Sequence, residues 1–229
     1  MGSGKSLGMT IFSWYYSLAC GTNVMSNIPL REDAFQKHKA NNSDFILGYL
    51  ESEQGFLELT QNGGGIIAWD EMHSSLDNRT WARKGQVMMT QFFMYLRKIG
   101  APLFFTSQSI EHQLDVRVRN VLDMAVICSK NRGGFAYTFY DFISGQVKKR
   151  IFIPKSIASK FFGVFDTRRI VRPVDFPQTA RQFLDFLDKL QEATARLGDE
   201  REIELDDFFK VDGGKSGQDD ELRRIPVFL

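Results

Sequence analysis

Two kinds of apolar pattern alternate along the first two thirds of the chain. Short apolar runs at residues 66–69 and 103–105 end in polar residues, which is typical of strands buried in a parallel sheet. Longer stretches with apolar residues at helical spacing, at residues 7–20 and 80–99, predict helices. Together they predict an α/β fold with a mostly parallel central sheet, helices on both faces and a site along one sheet edge.

The texture changes after residue 134. Residues 135–142 (FAYTFYDF) and 147–154 (VKKRIFIP) alternate apolar and polar positions around Ser144 and Gly145. This alternation predicts an antiparallel hairpin that extends the central sheet.

The last part of the chain has a different composition. A helix is predicted over residues 179–197, and from Gly198 onward the chain is acidic and then contains Gly and Ser. We therefore expect one domain over residues 1–197 and a flexible tail over residues 198–229.

Composition and charge limit the function classes. The chain has 229 residues, of which 43% are hydrophobic and 25% charged, as in an ordinary globular protein. A net charge of +1 argues against a protein that coats nucleic acid, so DNA contact would need a local basic patch or several subunits.

Cys20 and Cys128 lie in apolar stretches and are expected to be buried, reduced thiols. No run reaches the ~18 apolar residues of a membrane helix, so we expect a soluble, intracellular protein without a membrane segment.

The chain opens with a glycine-rich segment that leads into a predicted helix. The five residues that carry it are Gly2, Ser3, Gly4, Lys5 and Ser6, which match the second half of G-x-x-x-x-G-K-[ST]. Glycines allow backbone N–H groups to surround a phosphate, Lys5 would contact the β- and γ-phosphates, and Ser6 would bind Mg²⁺. The first glycine and the preceding strand would lie upstream, so we expect an incomplete N-terminus. Taken alone, the segment is also compatible with a cloning remnant or a chance match.

Polar residues at two strand ends complete a possible ATP site. Asp70 and Glu71 follow the apolar run IIAW, where Asp70 would orient Mg²⁺ and Glu71 would activate the attacking water. Gln108 closes the run LFFTSQ and could contact both the γ-phosphate and that water. The alternatives are a solvated strand end for the acidic pair and a turn amide for Gln108.

Arginines after the second run are candidates for transition-state stabilisation. Arg117 and Arg119, in DVRVRN, could reach the nucleotide of a neighbouring subunit, although ordinary surface ion pairs explain them as well. Rival candidates, each with the alternative of a solvated face, are Arg79, Arg83, Arg97 and Lys98. Basic residues that could line a DNA channel, or lie in solvated loops, are Lys148, Lys149, Arg150, Arg168, Arg169 and Arg172. His73 could assist catalysis or be structural.

With GSGKS, IIAWDEMH, FFTSQ and DVRVRN in this order, the sequence resembles the HerA/FtsK-like ATPases over about two thirds of its length. Within them it is similar to the genome-packaging ATPases of internal-membrane, double-jelly-roll viruses. The resemblance implies a P-loop NTPase of the additional-strand (RecA/HerA/FtsK-like) class that uses ATP and Mg²⁺. It also implies a homohexameric ring that drives double-stranded DNA into a capsid, with capsid or portal vertex proteins as partners. Its location would be the host cytoplasm or the virion vertex.

A second resemblance is to the zonular occludens toxin and filamentous-phage assembly group, in the DE and SQ segments. It implies an ATPase that serves virion assembly or export. Members of that group usually carry a transmembrane helix after the ATPase domain, and its absence here favours packaging unless the C-terminus is cut. A third hypothesis, motivated by the incomplete loop, is a structural protein that binds nucleotide without turnover.

Overall fold

Four short parallel strands form the first sheet of the computed structural model. They are β1 (Asn23–Ser26), β2 (Leu47–Tyr49), β3 (Gly65–Trp69) and β4 (Leu103–Phe105), in the spatial order β2-β1-β3-β4. The structure describes residues 2–72, 83–110, 114, 116–166, 171–177 and 179–208, with the backbone alone for 83–90, 117 and 196–208. Because the strands are parallel, their carboxyl ends meet at one edge of the sheet.

Helices cover both faces of this sheet, as predicted. They are α1 (Lys5–Cys20), α2 (Gln36–Asn41), α3 (Glu53–Gln61), α4 (Arg83–Lys98), α5 (Val116–Arg119), α6 (Lys155–Phe161) and α7 (Ala180–Phe208), with a 3-10 helix at Glu32–Phe35. Within the described part of the chain, no helix is long and apolar enough to cross a membrane.

The alternation of side chains along β3 divides the interior into two cores. Ile67 and Trp69 point to one face and pack with α3, α4, α5 and α7. Ile66 and Ala68 point to the other face and pack with α1 and α6. All four side chains are at most 1% exposed, which explains why β3 reads as an uninterrupted apolar run.

The ends of two helices follow local signals in the sequence. Gly21 adopts the left-handed conformation (φ 63°) after α1 and its N–H bonds to the carbonyl of Ser17, so this glycine caps the end of the helix. Before α7, Thr179 Oγ1 accepts from Gln182 N at 3.2 Å and Gln182 Oε1 accepts from Thr179 N at 3.1 Å, which is a capping box. Helix α7 runs past residue 197. Residues 209–229 lie outside the described part, so the predicted tail stays a prediction.

The predicted hairpin belongs to a second sheet. Strands β5 (Met124–Lys130), β6 (Gly134–Asp141) and β7 (Val147–Pro154) pair antiparallel in the order β5-β6-β7. The prediction that the hairpin extends the parallel sheet is therefore wrong for the described residues. The reason is local: Asn131 Oδ1 accepts the N–H groups of Gly133 and Gly134, which closes a tight turn that pairs β5 with β6.

The two cysteines are free, as predicted, but only one is even partly buried. Cys20 is exposed at the last position of α1, so its predicted burial is wrong. Cys128 is half-buried, and burial raises the pKa of its thiol to about 11 while the charge of Lys5 acts in the opposite sense. The Cys128 thiol is therefore protonated at neutral pH and is a poor nucleophile.

Candidate nucleotide-binding site

The glycine-rich segment leads directly into the first turn of α1. Gly4 has a left-handed backbone (φ 93°), and a Cβ atom there would lie 2.5 Å from Cδ1 of Phe135. Both the backbone conformation and the available space thus require glycine at this position. Residues 2–6 are exposed or half-buried at the amino end of a 16-residue helix, whose dipole and N–H groups favour an anion.

Strand β6 packs against this glycine-rich segment. The Tyr137 hydroxyl donates to the carbonyl oxygen of Gly4 at 3.0 Å, and burial raises the pKa of Tyr137 well above its usual value. The tyrosine therefore stays protonated and remains a donor. Its ring also covers Gly8, where a Cβ atom would lie 2.3 Å from Cε1. The second sheet is in this way fastened to the loop and to α1.

Oxygen ligands from three distant parts of the sequence meet beside this loop. Ser6 Oγ lies 3.0 and 2.9 Å from the two carboxylate oxygens of Asp70, and Thr106 Oγ1 donates to Asp70 Oδ1 at 2.5 Å. Asp70 is 5% exposed. The structure thus brings together Ser6 and Asp70, the two residues predicted to bind Mg²⁺, which prefers hard oxygen ligands of this kind.

Glu71 follows Asp70 in a sharply turned backbone. Its φ of 49° is left-handed, which disfavours a non-glycine residue by roughly 1–2 kcal/mol. The N–H of Glu71 donates to Thr106 Oγ1 at 2.9 Å, and its side chain is exposed at the carboxyl edge of the sheet. Backbone strain of this kind is frequent at functional sites.

Asn27 and Thr106 are two polar residues at this edge that the sequence analysis did not single out. Asn27 is 2% exposed and Thr106 is 6% exposed. The Asn27 side chain accepts from Asp70 N at 2.6 Å and donates to Asp70 O at 2.9 Å. Asn27 directly follows the buried strand β1, and Thr106 directly follows the half-buried strand β4, so both lie after an apolar run as Gln108 does.

Comparison with known proteins identifies a family for this chain. Residues 1–167 match the family model described as Zonular occludens toxin (Zot), which is more than half of the chain. The chain belongs to the Zot family. Comparisons with curated proteins and with solved structures gave no match.

Membership of the Zot family confirms the second of the two resemblances. The family is related to the P-loop ATPases, and the mixed α/β fold with its parallel sheet is consistent with that relationship. The family supports virion assembly or export rather than genome packaging, and the HerA/FtsK resemblance is not confirmed.

The residues at the site fit the nucleotide and the metal that such a family uses. Residues 2–6 are exposed or half-buried at the amino end of α1, where N–H groups can approach a phosphate. The Ser6 hydroxyl and the Asp70 carboxylate are already within 3.0 Å of each other, which is a spacing that one small cation can bridge.

The remaining predicted site residues are Gln108, Arg117 and Arg119. Gln108 is exposed in the loop that follows β4, two positions beyond Thr106 and on the same sheet edge. Arg119 is half-buried in α5, and its Nε has no hydrogen-bond partner among the described residues. Arg117 is described by its backbone alone. The roles assigned to these three residues stay predictions.

Two of the other basic residues considered in the sequence take part in ion pairs. Arg97 lies 4.0 Å from Asp123, and Lys148 lies 3.3 Å from Asp141, so both take part in exposed ion pairs. Those predicted residues that fall outside the described part of the chain are His73, Arg79, Arg168 and Arg169.

Proposed function

We propose that this chain binds ATP with Mg²⁺ and hydrolyses it to power the assembly or export of a phage virion. The observation that carries the proposal is the contact of Ser6 Oγ with both carboxylate oxygens of Asp70, across 64 positions of sequence. These two residues are the ones that the motifs assign to the metal, and family membership adds the P-loop relationship.

Each residue of the site has a role in this proposal. The N–H groups of residues 2–6 surround the phosphates, and the Lys5 ammonium neutralises charge on the β- and γ-phosphates. Ser6 and Asp70 hold the metal, which, when bound, offsets the negative charge that develops on the phosphates. Glu71 accepts a proton from the attacking water, and its exposed side chain lies where the parallel strands end.

Two further parts of the proposal extend it to an assembly. Gln108 orients the attacking water as the sensor of an additional-strand ATPase. Arg117 or Arg119 contacts the nucleotide of a neighbouring subunit in a ring of identical chains, where an arginine stabilises the transition state. The site then lies between subunits, so hydrolysis depends on protein concentration.

The first experiment measures steady-state ATP hydrolysis and ATP binding for the wild type, Glu71→Gln and Lys5→Ala. Glu71→Gln should reduce kcat by at least about 100-fold with little change in nucleotide affinity. Lys5→Ala should weaken nucleotide binding by about 10- to 100-fold, because it removes a charged contact. The matched control is Glu58→Gln, since Glu58 is an exposed glutamate on α3.

Double-stranded DNA separates the two motor functions. Turnover that is unchanged by DNA supports virion assembly or export, and turnover that rises steeply with DNA would favour translocation of DNA. Nucleotide binding without any hydrolysis would overturn the proposal that the chain is an ATPase. It would support a structural protein that binds nucleotide.

A further inference from the structure

The turn that carries Asp70 and Glu71 is held from both sides by neighbouring strands. On the side of β1, Asn27 N donates to the carbonyl of Ala68 at 3.2 Å, which continues the parallel ladder by one step. The Asn27 side chain then bonds to both backbone groups of Asp70, accepting from N at 2.6 Å and donating to O at 2.9 Å. One amide side chain thus takes the place of a peptide group beyond the end of β1.

On the side of β4, Thr106 completes the support. Its N–H donates to the carbonyl of Trp69 at 3.1 Å, and its carbonyl accepts from Met72 N at 3.2 Å. Its hydroxyl accepts from Glu71 N at 2.9 Å and donates to Asp70 Oδ1 at 2.5 Å. The backbone N–H groups of Asp70, Glu71 and Met72 therefore all have partners, which stabilises the left-handed conformation of Glu71.

We infer that Asn27 is a positioning residue for ATP hydrolysis, because it fixes the Asp70–Glu71 backbone from which the metal ligand and the water-activating carboxylate project. The inference rests on the proposed function. Asn27 acts through the backbone of Asp70 and is not itself a catalytic residue. A displacement of about 1 Å at a reacting group can reduce a rate roughly 100-fold, so a small shift of this turn is sufficient for a large effect.

The chemistry of the contact requires asparagine. It needs one acceptor for Asp70 N and one donor for Asp70 O in a place where Asn27 is 2% exposed. An ionised aspartate would keep the acceptor, lose the donor and place a second negative charge near Asp70. Alanine would leave both backbone groups of Asp70 without this partner.

Asn23, at the start of the strand that precedes Asn27, offers a matched control. It is also an asparagine, 6% exposed, and its side chain also bonds to backbone groups. Its Nδ2 donates to the carbonyls of Asn62 and Gly64 at 2.7 and 3.1 Å, and its Oδ1 accepts from Ile46 N at 2.9 Å. It lies at the amino end of β1, whereas the site lies at the carboxyl end.

The experiment compares Asn27→Ala, Asn27→Asp and Asn23→Ala with the wild type, at a temperature at which all four are folded. Asn27→Ala should lower kcat by about 10- to 100-fold, with the dissociation constant for Mg²⁺-ATP changed by less than about threefold. Asn27→Asp should also lower kcat. Asn23→Ala should lower the midpoint of thermal unfolding and leave kcat near the wild-type value. Equal losses of kcat in Asn27→Ala and Asn23→Ala, or a loss confined to binding, would overturn the inference.

Amide hydrogen exchange gives a readout that does not depend on turnover. The exchange of the Asp70 and Glu71 amides should accelerate by at least about tenfold in Asn27→Ala and stay slow in Asn23→Ala. Unchanged protection of Asp70 in Asn27→Ala would show that Asn27 does not fix this turn. A wild-type protein that shows this exchange pattern without hydrolysing ATP would contradict the proposed function while leaving the positioning intact.

Discussion

The two sheets differ in whether their polar side chains are buried or exposed. The parallel strands are three to five residues long, and a buried polar residue directly follows β1, β3 and β4. Asn27, Asp70 and Thr106 are 2%, 5% and 6% exposed, and they bond to one another's side chains and backbone. The antiparallel strands are seven or eight residues long and present residues such as Arg150 to solvent. Of the two sheets, it is therefore the parallel one that has buried polar side chains directly after its strands.

One face of the antiparallel sheet contacts the glycine-rich loop and α1. Phe135 and Tyr137 close over Gly4 and Gly8, so this sheet determines the position of the glycine-rich loop. The parallel sheet supplies the proposed metal ligand and base, and the antiparallel sheet supplies the support of the loop. This division of labour can be tested one contact at a time.

The largest effect is expected from Gly4→Ala. The new Cβ would lie 2.5 Å from Phe135 Cδ1, and the left-handed backbone adds roughly 1–2 kcal/mol of strain. We expect a loss of stability well beyond that strain and a loss of nucleotide binding, measured by urea unfolding and by titration with ATP. The control is Gly21→Ala, since Gly21 is also left-handed but has open space around it. Equal losses in the two variants would show that the fit between Phe135 and Gly4 is unimportant.

Tyr137→Phe should have a smaller effect on the same contact. It removes one buried hydrogen bond, to the Gly4 carbonyl, and keeps the ring over Gly8. The expected loss is about 1 kcal/mol in the free energy of unfolding, with weaker nucleotide binding because the loop is less well held. Tyr140→Phe, three positions further along β6, is the control and should leave nucleotide affinity unchanged. Wild-type nucleotide affinity in Tyr137→Phe would show that the hydrogen bond from β6 to Gly4 does not support nucleotide binding.

A pH titration probes the aromatic cluster around His38 of α2. His38 lies against Trp14, Phe35 and Phe45, and burial lowers the pKa of His38 below 6.5 while its contact with the Trp14 carbonyl acts in the opposite sense. The unfolded chain therefore takes up a proton first as the pH falls. Stability should be highest above about pH 7.5, fall as the pH drops through 6.5, and level off below the folded pKa. Unfolding in urea at several pH values measures this, and His38→Gln should remove the part of the slope that His38 contributes.

Much of the fold follows from local patterns, but the contacts across it do not. The apolar run of β3 and the polar residues after it predict a buried parallel strand with chemistry at its end, and the position of Ser6 beside Asp70 agrees with the motifs. Asn27 was missed because a polar residue after a strand does not reveal its partner. The hairpin was attached to the wrong sheet because alternation specifies a strand and its faces, whereas pairing depends on the nearest turn.

The smallest effect is expected at the outer edge of the antiparallel sheet. Lys148 Nζ lies 3.3 Å from Asp141 Oδ2 in an ion pair whose side chains are 43% and 30% exposed. The carboxylate of Asp141 is also held by the N–H groups of Ser144 and Ile143, at 2.8 and 3.1 Å, and the Ser144 N–H is the main cause of its lowered pKa. Lys148→Ala should therefore change the Tm by less than about 2 °C, since solvent screens the pair. Asp141→Ala should lower the Tm further, because it also removes the hydrogen bonds that close the β6–β7 turn. If Lys148→Ala were as destabilising as Asp141→Ala, the outer charges would matter more to this sheet than its backbone turns.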